Sequence, residues 1–142
     1  MNYIYNFCYD SSNAKMKKRA KNWLDSAQYD LKTAEHMFKT GRYIYTVFMC
    51  HLALEKVLKA KIQVAGSTPP KTHDLEYLTG LAKLSPNEDM ESFIAEITNL
   101  SVVTRYPGDF QKILKNFSKK RTELILLKTK EVFQWIKKSI TL

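Results

Sequence analysis

Glycine and proline are scarce in this chain, four of each in 142 residues, and cysteine is scarcer still, with two. No glycine-rich phosphate loop, internal repeat or sustained strand alternation is present, which leaves helices as the building material. Cys8 and Cys50 lie far apart, lack CxxC spacing and follow no secretory apolar segment, so the expectation is a reducing cytoplasm. Two cysteines and three scattered histidines do not supply a zinc ligand set, and no metal is expected. No apolar run approaches the roughly 18 residues that span a bilayer, so no membrane is expected. The length suits one domain that fills a single hydrophobic core.

Acid is also in short supply, and unevenly so. The net charge is +9, with eight Lys/Arg against three Asp/Glu over 15–42, nine against two over 111–142, and two against six over 66–101. Basic terminal regions favour polyanions such as RNA, or an acidic protein, although lysine-rich faces are also ordinary in helical bundles.

Residues 42–65, RYIYTVFMCHLALEKVLKAKIQVA, carry the longest helical pattern. At 100° per residue, Ile44, Val47, Cys50, Leu54, Val57, Leu58 and Ile62 share one broad arc, which places this helix at the centre of a bundle. His51 and Glu55 break the arc one turn apart. A buried carboxylate must find a cation or go neutral, so the pair is either a satisfied core contact or a catalytic one.

Before it, a helix is expected from about Lys17 to Lys39, stopped by Gly41, with Asp30 turned inward and joining His51 and Glu55 as a buried polar network. Residues 1–15 read as a loosely ordered extension, with a natural start near Met16. Gly66, Pro69 and Pro70 end the central helix, and Thr72 is placed as the N-cap of a helix from His73. His73 and Asp74 resemble a catalytic dyad, but capping explains Asp74 equally well. Ser85, Pro86 and Glu88 fit a capping box for the next helix, which ends before Pro107. There the bend puts Arg105 and Tyr106 over the bundle, with Arg105 the expected partner of Asp30 or Glu55. A last helix from about Lys119 to Ile140 has a core stripe and a separate apolar side, Leu124, Leu127 and Trp135, suited either to a second subunit or protein or, for Trp135, to the core edge. The expected fold is an all-α, up-and-down bundle of about five helices over residues 16–142.

The order MKKRAKNWLDSAQYDLKTAEHMFKTGRYIYTVFMCHLALEKVLKAKI, PPKTHDLEYL and TRYPGD resembles the HEPN domain, named for nucleotide binding in higher eukaryotes and prokaryotes. The resemblance runs over about residues 16–140 and rests on Trp23, Asp30 and Leu31, then Ala53, Glu55, Lys56, Leu58 and Lys59, then His73, Asp74 and Leu75, and the Arg105-Tyr106-Pro107 turn. It implies a helical bundle, usually a homodimer, often paired with a minimal nucleotidyltransferase or serving as a toxin in a toxin-antitoxin pair. HEPN ribonucleases carry Arg followed after four to six residues by His, and no histidine here follows an arginine at that spacing. The resemblance therefore implies a non-catalytic module without catalytic or metal-binding residues. Its ligand, a nucleotide such as ATP or RNA, would meet Lys56, Lys59, His73, Asp74, Arg105 and Tyr106. The alternative is a toxin ribonuclease built on His73, Asp74 and Arg105.

Overall fold

The structure is a computed structural model that describes the backbone of residues 3–142 and the side chains of residues 11–142. It is all-helical: α1 (Tyr3–Lys39), α2 (Tyr43–Val64), α3 (Leu75–Leu81), α4 (Glu88–Arg105), α5 (Phe110–Asn116) and α6 (Lys119–Lys138). The helix expected from Lys17 begins at Tyr3, although its face meets the core only from Ala20 onward, residues 14, 15 and 17–19 being exposed. The expected looseness of residues 1–15 falls largely on side chains outside the described range.

Six helices replace the expected five because the segment after Pro107 forms α5, capped by the Asp109 carboxylate, which accepts the Lys112 N–H at 3.1 Å. Two caps also move. The N-cap of α3 is Asp74, not Thr72, and its carboxylate accepts the Tyr77 N–H at 3.1 Å. The N-cap of α4 is Asn87, two residues past Ser85, accepting from the Met90 N–H at 2.9 Å. Both satisfy a first-turn amide that would otherwise lack a partner.

Helix α2 is central, touching α1, α3, α4, α5 and α6. Its core arc is buried as expected, with Val47, Cys50 and Val57 at 0% exposure. The Cys50 thiol lies against Thr129 of α6, and burial pushes it up to about 12. Lys61 ties α2 to the end of α6 by donating to the Ser139 carbonyl at 2.6 Å, and Lys128 of α6 reaches Asp89 of α4. Trp135 packs against the core edge, leaving Leu124 and Leu127 as the exposed apolar pair on α6. No helix among the described residues is long and apolar enough to cross a membrane.

Three helices end alike. After α1, Arg42 N–H bonds the Met37 carbonyl and Gly41 N–H bonds Phe38; Ser67 and Gly66 repeat the pattern after α2, and Leu84 and Lys83 after α3. Each needs a left-handed residue, which Gly41 and Gly66 supply at φ +74 and +96. Lys83 takes φ 54 at the third. Its Cβ is crowded there, so Lys83→Gly is expected to stabilise the fold by about 0.5–1 kcal/mol, seen as a higher urea midpoint. An unchanged or lower midpoint would show that the side chain contributes more than the strain removes.

Candidate functional site

Glu55 faces inward from α2 with only 4% of its surface exposed, and three elements answer it. Lys59, one turn further along α2, donates to Oε1 at 2.7 Å. His73, in the loop before α3, donates its Nδ1–H to Oε2 at 2.8 Å. Arg105, in the last turn of α4, holds Nη2 4.0 Å from the same oxygen, an ion pair without a hydrogen bond. Burial alone would raise the Glu55 pKa, but the hydrogen bonds and charges of Lys59 and His73 outweigh it and hold the carboxyl below its usual range. One carboxylate thus stands among an ammonium, a guanidinium and an imidazole.

His51 is buried completely and is a satisfied fixture on one side only. Its Nε2–H donates to the His73 carbonyl at 2.9 Å, which pins the loop that carries His73. Its Nδ1 lies 3.9 Å from Glu55 Oε2 and has no hydrogen-bond partner among the described residues. Burial pushes the His51 pKa down to about 4, with Glu55 pulling the other way. His51 is therefore neutral near pH 7, with the proton on Nε2.

The expected network divides in two. Asp30 is not joined to His51 and Glu55; it pairs with Lys56, whose Nζ sits 2.6 Å from Oδ2 while donating its hydrogen bond to Ser26 Oγ at 2.9 Å. Arg105 is Glu55's outermost partner and not Asp30's. Lys59 is taken up inside the protein, its ammonium 5.5 Å from the Trp23 ring centre, and Lys56 is paired with Asp30, so each lysine already has a carboxylate partner. Asp74 is occupied as a cap. His73, by contrast, is 63% exposed in its side chain, so its carboxylate-anchored ring presents the other nitrogen outward.

Arg105 also closes one end of a groove of about 410 Å³. Its guanidinium lies 5.4 Å from the Phe48 ring centre, and Tyr45, Tyr106 and Phe110 line the remainder. Tyr106 is 78% exposed, released from the bundle because Pro107 ends α4 beneath it. Through Tyr45 this groove adjoins a second opening, about 460 Å³, walled by Met37, Arg42 and Met49. No carboxylate lines either one. Of the aromatic walls, Tyr106 was an expected ligand contact, whereas Phe48 escaped sequence reading because it falls on the core arc of its helix. Lys59 did carry a signal, its i+4 spacing from Glu55; His73 on Glu55, 18 residues away, carried none.

Chemically, the arrangement offers a guanidinium beside stacking surfaces, and an imidazole oriented by a buried acid. No group of three or more potential metal ligands occurs among the described residues.

Residues 20–140 match the family model of the HEPN domain. No curated protein matches. Among solved structures, TT1696 from Thermus thermophilus is similar at a TM-score of 0.72 and 20% identity, covering 86% of this chain and 98% of that one. ST0689, an archaeal HEPN homologue, is similar at a TM-score of 0.69 and 19% identity, with the same shares covered.

Proposed function

The chain belongs to the HEPN domain family, and from that premise we propose that it is a homodimeric, non-catalytic module that binds a nucleotide at the Arg105–Tyr106 groove. Its cellular partner is then a minimal nucleotidyltransferase, in a toxin-antitoxin-like pair. The carrying observation is that the Arg105 guanidinium, ion-paired with Glu55, makes no hydrogen bond to it. Lys59 and His73 already bond both oxygens of Glu55, so the N–H donors of the guanidinium at 4.0 Å remain open to an anion. Phe48, Tyr106 and Phe110 beside it suit a planar base. The adjoining opening with Met37, Tyr45 and Met49 is an apolar surface for a second copy of the chain.

Equilibrium binding of labelled ATP, with molar mass followed by light scattering, tests this reading. Wild type should bind saturably as a dimer, and Arg105→Ala should weaken binding about tenfold or more, the cost of one charge-assisted contact. Wild type without saturable binding would end the nucleotide reading.

One observation favours a second reading, a ribonuclease. His73 is held by Glu55 at 2.8 Å with its ring exposed, the form of an oriented acid-base imidazole, and Arg105 is near enough to steady a phosphate. RNA left intact by wild type, and equally by His73→Ala, would dismiss it.

A further inference from the structure

The solvent side of α6 carries a strip that no other described element covers. Lys120, Leu124, Leu127 and Glu131 recur at i, i+4, i+7 and i+11, the spacing of one seam along a helix, and all four are exposed. Both leucines are more than half exposed, although the opposite face of the same helix is buried through Ile125, Leu126, Val132 and Phe133. Lys120 and Glu131 form no ion pair or hydrogen bond with any described residue.

The margins of the strip are fixed by two ion pairs. Lys128 is drawn to one side, where the Asp89 carboxylate of α4 lies 2.6 Å from its ammonium. Lys130 is drawn to the other, 3.1 Å from Glu35 of α1. Both lysines are thereby held off the strip, and α6 is tethered on either side of it.

The order of the four residues says what can cover them. In reverse, Lys-Leu-Leu-Glu becomes Glu-Leu-Leu-Lys, so an antiparallel copy of the strip matches it charge for charge and leucine for leucine. With a two-fold axis between residues 125 and 126, Lys120 of one copy meets Glu131 of the other and Leu124 meets Leu127, each contact occurring twice. Glu123, also without an ion pair, then comes opposite Lys128. A parallel copy would set Lys120 beside Lys120 and Glu131 beside Glu131, and a partner of one charge sign would be repelled at one end. Charge therefore selects a second copy, its direction and its register.

We infer that the Lys120–Glu131 strip is a self-contact, at which two copies of the chain meet through antiparallel α6 helices. It shares no residue with the homodimer surface proposed at Met37, Tyr45 and Met49 and does not rest on that reading. Where both contacts form, the assembly exceeds a dimer. Two leucines a side fall well short of the roughly 800 Å² that each partner buries in a stable complex, so the α6 contact is weak and concentration-dependent.

The test is zero-length cross-linking of the full chain with a carbodiimide, which joins an amine to a carboxylate only in direct contact, over a rising protein concentration. Within one chain Lys120 and Glu131 are eleven residues apart on one helix. That is about 16 Å, so an amide between them forms only across two copies. Mass spectrometry should find this amide, with a yield that rises with concentration and falls about tenfold in Leu124→Lys. Light scattering provides the second measurement, on surface variants that leave the core intact. Lys120→Glu sets acid against acid at both ends and should end the rise of molar mass with concentration; adding Glu131→Lys should restore it. The mass in dilute solution reports the homodimer reading separately, as two chains if that reading holds and one if it fails. Absence of the Lys120–Glu131 amide, an equal yield from Leu124→Lys, or an unaltered rise of mass in Lys120→Glu would each overturn the self-contact.

Discussion

Glu55→Ala is expected to lower stability by about 3–5 kcal/mol, which is the usual cost of removing one partner from a buried ion pair. The loss comes from what stays behind. Lys59 would remain with its side chain 8% exposed and no counter-charge, and the His73 loop would lose its anchor. A matched change separates charge from packing: Glu55→Leu combined with Lys59→Met removes both ions and should recover most of the loss, because well-packed apolar residues often replace a buried pair at little cost. Urea denaturation of the three proteins measures this. A Glu55→Ala protein within about 1 kcal/mol of wild type would show that Lys59 escapes to solvent and that the cluster is not a constraint on the fold.

Acid should unfold the protein in two stages, and His51 sets the first. The unfolded chain takes up a proton on this residue near its ordinary value of 6.5, whereas the folded protein resists until about 4. Between those values the unfolded state binds more protons, so stability falls as pH falls, by about 3 kcal/mol across the window, and this residue takes nothing further below it. Burial is the main cause; Arg105 and the His73 ring also oppose the proton, while Glu55 and the His73 carbonyl favour it. The second stage belongs to Glu55. Its depressed pKa contributes stability above its ordinary value of 4.5, and that contribution is lost as pH falls through the folded value. Urea midpoints at pH 7 and pH 4.5 should therefore differ strongly in wild type and much less in His51→Gln, which retains a donor for the His73 carbonyl. Equal pH sensitivity in the two proteins would place the first stage elsewhere.

The parts of the fold legible in the sequence were those governed by period and by local chemistry. The arc from Ile44 to Ile62 identified the central helix, and the intrusion of His51 and Glu55 on that arc identified the buried pair. Elements shorter than two turns were harder. Seven-residue α5 has too few residues for a period to show, and its one clear sign, Asp109 as a cap, sits inside the Pro-Gly turn signal. Capping residues also compete with close neighbours: Ser85 and Asn87 are both suitable, and so are Thr72 and Asp74. The site was legible as a set of residues and not as an arrangement. Arg105 was expected to be the answer to a buried acid, but Lys59 reaches Glu55 along the same helix, and a chain reversal brings His73 to it. No spacing encodes that reversal.

Cys50 turns the seam between α2 and α6 into a clock. Its thiol is wholly enclosed and, with burial raising it to about 12, contributes almost no thiolate near neutral pH. An alkylating reagent can reach this sulfur only in the moments when the two helices part, so at a fixed reagent concentration its labelling rate reports how much of the time the seam stands open.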